Sequence, residues 1–154
     1  MYTTYNLFKF LHVVSVILWI GGLVAVSVLN ARLARTADRT VLAAMARQSR
    51  FFGTLVVAPA AGVTLITGIV MMAVSGMTSP PLWMIWGFAA ILLSVVFGAT
   101  FLRRAGTELS ERVATTERDD PHLLSLQRRL ATLNTMNLLL LLSAVWAMVF
   151  KPTL

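Results

Sequence analysis

From Phe51 to Leu102 the chain runs for 52 residues without a charged side chain. No soluble domain needs a run of that length, and no single membrane span fills it, because a hydrocarbon core ~30 Å thick takes about 20 helical residues. The run is broken by Ser75-Gly76-Met77-Thr78-Ser79-Pro80-Pro81, a turn-forming cluster. It therefore divides into Phe51–Val74 and Leu82–Leu102. Two further apolar runs flank it: Phe10–Leu29 carries no charge, and Leu130–Phe150 lies between Arg129 and Lys151. In lipid every backbone polar group must be satisfied within the segment, which leaves helices at these lengths. The sequence predicts an all-α protein, a four-transmembrane-helix bundle with helical cytoplasmic extensions. Its spans lie at about 5–29, 51–75, 81–102 and 130–150 within a single membrane domain over residues 1–154. A cleaved signal peptide is the rival for the first run, but only Lys9 precedes it and arginines follow at 32 and 35.

Composition agrees: 12% of residues are charged against about a quarter in an average globular protein, and mean hydropathy is +0.81. The absence of cysteine excludes disulfides, thiolate metal sites and CxxC redox motifs. All 11 arginines fall in two stretches, Arg32–Arg50 and Arg103–Arg129, which join spans one to two and three to four. The turn between spans two and three has no charge. The positive-inside bias then puts both arginine links in the cytoplasm and both termini outside, in a bacterial inner membrane. The six acids share those links, so the basic excess there reads as a topology signal and a contact for lipid headgroups. A nucleic-acid site is not expected, because no clustered basic patch with interleaved aromatics is present. The links are helical in pattern. Thr40 is a candidate cap in the first. In the second, Asp120 is an N-cap candidate with Pro121 at the first helical position, opening a helix that continues through Arg128 into span four.

Candidate chemistry sits in span one. His12 is the lone histidine of any apolar run. His12, Ser15, Trp19 and Gly22 share one helical stripe, the polar and small-residue face, which should turn inward. With the N-terminus outside, His12 lies ~10 Å deeper than Tyr5. Lys9, one turn above, snorkels to the outer interface. Trp19 lies too deep for an aromatic belt, whereas Trp83, Trp86 and Trp146 suit the outer one. An ionisable group in hydrocarbon is a functional candidate by default. A neutral imidazole there can ligate haem iron or copper, relay a proton, or hydrogen-bond a neighbouring helix.

A haem b reading needs a second axial ligand. The spans offer no second histidine, so the site would be five-coordinate, use Met84, Met136 or Met148, or pair two His12 across a dimer. Lys9 and Lys151, the cations of the outer side, would meet the propionates; interfacial anchoring is the plainer role for both. Copper is the alternative, with Met71, Met72, Met77 and Met84 around the outer turn as thioether ligands. Span two carries Ala58-x-x-x-Gly62 and Thr64-x-x-x-Gly68, spacings that allow close helix packing, and Pro59, a kink candidate. Asn134 and Asn137 in span four each call for a hydrogen-bond partner. No Asp or Glu lies in any span, and phosphate-loop and HExxH motifs are missing.

Span one, LFKFLHVVSVILWIGGLVAVSVL, resembles the first helix of a set of small bacterial membrane proteins, the copper-resistance-protein-D-like and HemJ-like proteins with a related uncharacterised family of predicted four-span proteins. The shared features are a histidine early in the helix and W-x-G-G about seven residues on. The likeness continues in PAAGVTLITGIVMM and in WAMVFKP, and is closest to the uncharacterised family. In HemJ-like proteins the early histidine is implicated in binding haem b, and the copper-resistance relatives are linked to copper uptake. The resemblance thus implies His12 as a haem or metal ligand, in a protein for electron transfer or sensing rather than group transfer, with a homodimer as one arrangement. The competing expectation is a non-catalytic accessory or assembly subunit of a larger membrane complex, with His12 joining helices.

Overall fold

A computed structural model describes residues 2–33, 44, 47–49, 51–77, 79–115 and 121–152. The described chain forms helix α1 (Tyr2–Leu33), α2 (Ala58–Val74), α3 (Leu82–Phe97), α4 (Arg103–Thr115) and α5 (Pro121–Phe150). Four helical stretches are long and apolar enough to cross a membrane: Thr3–Leu29, Arg47–Val74, Leu82–Leu109 and Ser125–Phe150. These are the four spans expected from the charge-free runs. The Thr40 and Asp120 cap positions lie outside the described residues, but α5 does begin at Pro121 and runs unbroken through Arg128 into the membrane. Between α2 and α3 the chain reverses where expected. Ser75 N–H bonds the Met71 carbonyl, and Gly76 takes a φ of +69°, the left-handed geometry that commonly ends a helix.

Two irregularities were not read from the sequence. Gly53–Val57 and Gly98–Leu102 are π-helical, each opening on glycine and each at the arginine-bearing end of its span. Pro59, the kink candidate, follows directly on the first of them, inside the continuous Arg47–Val74 helical stretch.

The helices pack in the ring order α1–α2–α3–α5, with α1 against α2 and α3 against α5 as the broad contacts. Close approach is won with small residues. A Cβ at Gly22 would lie 3.0 Å from Val57 and 3.2 Å from Phe52, so a larger residue there would push those side chains back by a few tenths of an ångström. The core is a single indole among small and branched neighbours: Trp19 with Ala60, Ala61, Ile91 and Leu141. Large apolar side chains such as Phe10, Ile17, Ile66, Val96 and Leu139 face outward, as a lipid-facing surface requires.

One interior position breaks the pattern. Asn137 is 4% exposed, and its Oδ1 has no partner among the described residues, contrary to the expectation that it would find one. An unmade buried hydrogen bond costs about 1–3 kcal/mol, so an apolar residue of similar size should be tolerated there. Asn137→Leu is expected to leave thermal stability in detergent unchanged or raised; a clear fall would mean that Asn137 makes a bond after all.

Candidate functional site

The inward stripe of α1 is as the spacing required: Ser15, Trp19 and Gly22 are buried and His12 is half-buried. The imidazole turns toward α2. His12 Nδ1 lies 3.0 Å from the Thr64 carbonyl oxygen and 3.0 Å from Thr67 Oγ1. A carbonyl only accepts, and the Thr67 hydroxyl has carbonyl acceptors of its own on Val63 and Thr64, at 2.7 and 3.1 Å. Nδ1 must therefore carry the proton. In the neutral ring that leaves Nε2 as a bare lone pair, and it has no hydrogen-bond partner among the described residues. Locking Nδ1–H onto a backbone carbonyl is how proteins orient a histidine whose other nitrogen binds a metal.

Polar bonds extend inward from the ring. Ser15 Oγ donates to the His12 carbonyl at 2.8 Å, and the Thr64 hydroxyl lies 2.9 Å from Ser15 Oγ and 2.8 Å from the Ala60 carbonyl. Thr64 and Thr67 sit three residues apart on the face of α2 that meets α1, where Thr67 meets the histidine through its hydroxyl and Thr64 through its backbone carbonyl. In the sequence Thr64 reads only as part of a small-residue packing spacing, and Thr67 carries no signal of its own. Their pairing with His12 depends on the register between two helices, which no local pattern encodes.

His12 also borders a crevice between the helices, lined by Trp19 on α1, Thr64 on α2, Ile91 on α3, and Leu141, Ala144 and Met148 on α5. Of the three methionines named as candidate partners, this is the one that shares the crevice with His12. Met136 is 57% exposed on the outer face of its helix, and Met84 does not line the crevice. Met148 is positioned by a glycine: a Cβ on Gly87 of α3 would overlap the Met148 methyl. The other predicted residues lie apart. Lys9 is exposed. Lys151, with φ +46°, holds its ammonium 5.6 Å from the centre of the Trp83 ring. Met77, in the turn between α2 and α3, is exposed. Among the described residues no three His, Cys, Asp or Glu side chains gather as a metal cage.

Over residues 6–152 the chain matches the family model described as "Predicted integral membrane protein (DUF2269)". The chain belongs to this family. Of the kinships read from the motifs, the uncharacterised membrane family is the one the match supports. No curated protein and no solved structure matches the DUF2269 chain.

The crevice that His12 borders limits what could sit there. It offers about 20 Å³, room for one water-sized body, whereas small-molecule and cofactor sites run to about 300–1,000 Å³. Haem b does not fit between the helices of one chain packed in this way; a single metal ion does. Imidazole nitrogen with a thioether is a soft donor set, suited to Cu(I) rather than to magnesium or calcium.

The Gly87 contact gives a test of a metal held at this crevice that alters neither His12 nor Met148. Gly87→Leu should displace the Met148 side chain from the crevice and weaken metal binding by about 10-fold or more, the range seen when support around a ligand is lost. Metal titration of the purified variant reads it, and affinity equal to wild type would show that Met148 is not positioned by this contact.

Proposed function

We propose that the protein is a small polytopic protein of the bacterial inner membrane that holds a single soft metal ion, of the Cu(I) class, between Nε2 of His12 and the thioether of Met148. The observation that carries this reading is the hydrogen bond from His12 Nδ1–H to the Thr64 carbonyl, which leaves Nε2 without a hydrogen-bond partner among the described residues, on a side chain that borders the same crevice as Met148. With the arginine links on the cytoplasmic side and the termini outside, the site lies in the outer half of the bilayer, open to metal supply from beyond the membrane. A role in metal uptake or sensing follows more readily than catalysis, because no carboxylate lies in any of the four charge-free runs to move protons or hydrolyse a bond. Kinship with the copper-resistance-protein-D-like proteins is consistent with this reading; kinship with HemJ-like proteins would favour haem b. Pairing His12 of two copies around one haem requires a ring turned outward, and here the ring is tied to α2.

The experiment is metal analysis with a visible spectrum of the detergent-purified protein after loading with Cu(I). One equivalent of tightly held copper in a colourless protein is expected. A Soret band would replace the ion by haem, and no retained metal would remove the cofactor altogether.

One observation favours the second reading, a non-catalytic subunit of a larger membrane complex. The His12–Thr64–Thr67–Ser15 bonds join α1 to α2 whether or not a metal is present. On that reading the protein retains no metal and copurifies with its complex.

A further inference from the structure

An ion in the crevice that His12 borders would carry a charge that nothing around it cancels. No Asp or Glu lies in the four charge-free runs and the chain has no cysteine, so neither carboxylate nor thiolate lines the space. His12 and Met148 offer neutral donors. Thr64, whose hydroxyl is the one hydroxyl of the lining, already bonds Ser15 Oγ and the Ala60 carbonyl. The remaining lining side chains are aliphatic except one, Trp19. A charge taken out of water without a counter-charge is held only if dipoles or ring quadrupoles replace its hydration.

Three observations single out this indole. First, Trp19 stands two helical turns after His12 on the inward stripe of α1, and helix side chains lean toward the helix N-terminus, here the His12 end. Second, it is 4% exposed. A cation over an aromatic face is attracted most strongly when both are out of water, and tryptophan is the best of the aromatic residues for it. Third, its N–H makes no hydrogen bond among the described residues, whereas Trp86 donates to Ser143 Oγ at 3.2 Å. A buried indole N–H normally finds a partner. Phenylalanine or leucine would fill a core among alanines and branched residues without that need, so packing alone does not call for tryptophan here.

We propose that Trp19 is the third neighbour of the ion, its ring face held to the metal by cation–π attraction, and that the site so completed selects monovalent soft cations. This rests on the reading that a metal sits between His12 and Met148. The selection follows from charge. Two neutral donors and a ring quadrupole stabilise a cation without neutralising it, and the cost of burying an ion rises with the square of its charge. Cu(I) and Ag(I) are therefore favoured over Zn(II), which imidazole also binds but which would keep both its charges in hydrocarbon. Trp19 is then a specificity residue as well as the centre of packing.

The test is titration of the full-length protein in mild detergent with Ag(I), a redox-stable ion of the same charge as Cu(I), followed by indole absorption and fluorescence with bound metal measured on the same samples. A change that saturates at one equivalent is expected. In Trp19→Phe the change should vanish, although Trp83, Trp86 and Trp146 remain to report. Trp19→Leu should bind about 30-fold more weakly, the factor that ~2 kcal/mol gives. Should Trp19→Leu not fold, the wild-type and Trp19→Phe spectra decide. One equivalent of Ag(I) bound with the indole signal unchanged, or a Trp19→Leu that binds as tightly as wild type, overturns the proposal and leaves the ion between His12 and Met148. Zn(II) held as tightly as Ag(I) overturns the charge selection. A protein that retains neither ion overturns this proposal together with the reading on which it rests.

Discussion

Replacing His12 with alanine is expected to abolish metal retention while leaving the bundle folded. The variant removes Nε2, the nitrogen left bare by the bond from Nδ1–H to the Thr64 carbonyl. Loss of support around a ligand alone costs 10–100-fold in affinity, so loss of the ligand itself should cost at least about 100-fold. The structural penalty is much smaller. Inter-helix hydrogen bonds within membranes contribute ~0.6 kcal/mol on average. The groups left behind are not orphaned: Thr67 Oγ1 still donates to the Val63 or Thr64 carbonyl, and Ser15 Oγ still donates to the backbone carbonyl of residue 12. Copper bound per chain and thermal midpoint, measured on the same preparation, separate the two effects. A variant that keeps its metal removes His12 from the site; one that unfolds makes the histidine a structural residue first.

Trp19→Ala has the opposite signature. Trp19 is 4% exposed and fills the centre of the bundle against Ala60, Ala61, Ile91 and Leu141. Removing a buried indole costs about 3–5 kcal/mol in protein cores. In a bilayer the hydrophobic term between helices is absent, and the loss is chiefly of dispersion contacts, so the lower end, about 3 kcal/mol, is expected. Alanine neighbours cannot expand into the gap, and the new cavity merges with the crevice beside His12. Trp146 supplies the control. It is 55% exposed and stacks on Phe150 at 5.2 Å, so Trp146→Ala should cost a small fraction of that. Equal destabilisation by the two substitutions would show that Trp19 is not the centre of packing.

How much of this was legible in the sequence divides along a physical line. The spans were, because charge is so costly in hydrocarbon that its absence over 52 residues states where the membrane is. The inward stripe of α1 was, because helical spacing alone fixes which residues share a face. The entry of α5 at Pro121 was, from the proline itself. What depended on one helix meeting another was not. Nothing in span two marks Thr64 and Thr67 as the partners of His12. Three methionines stood equal until packing brought Met148 to the crevice and left Met136 facing outward. Asn137 was expected to be partnered and is not, because the residues that meet it on neighbouring helices are set by register. The π-helical turns at Gly53 and Gly98 leave no periodic signal over five residues.

Metal binding at His12 requires one particular state of its ring, and 15N NMR of histidine-labelled protein in lipid reads that state directly. The chain has two histidines, so His12→Ala assigns the signals. The prediction is a neutral ring protonated at Nδ1, with an unprotonated Nε2 resonance that alone moves when one equivalent of Cu(I) is added. A ring protonated at Nε2, or an Nε2 resonance indifferent to the metal, would contradict it.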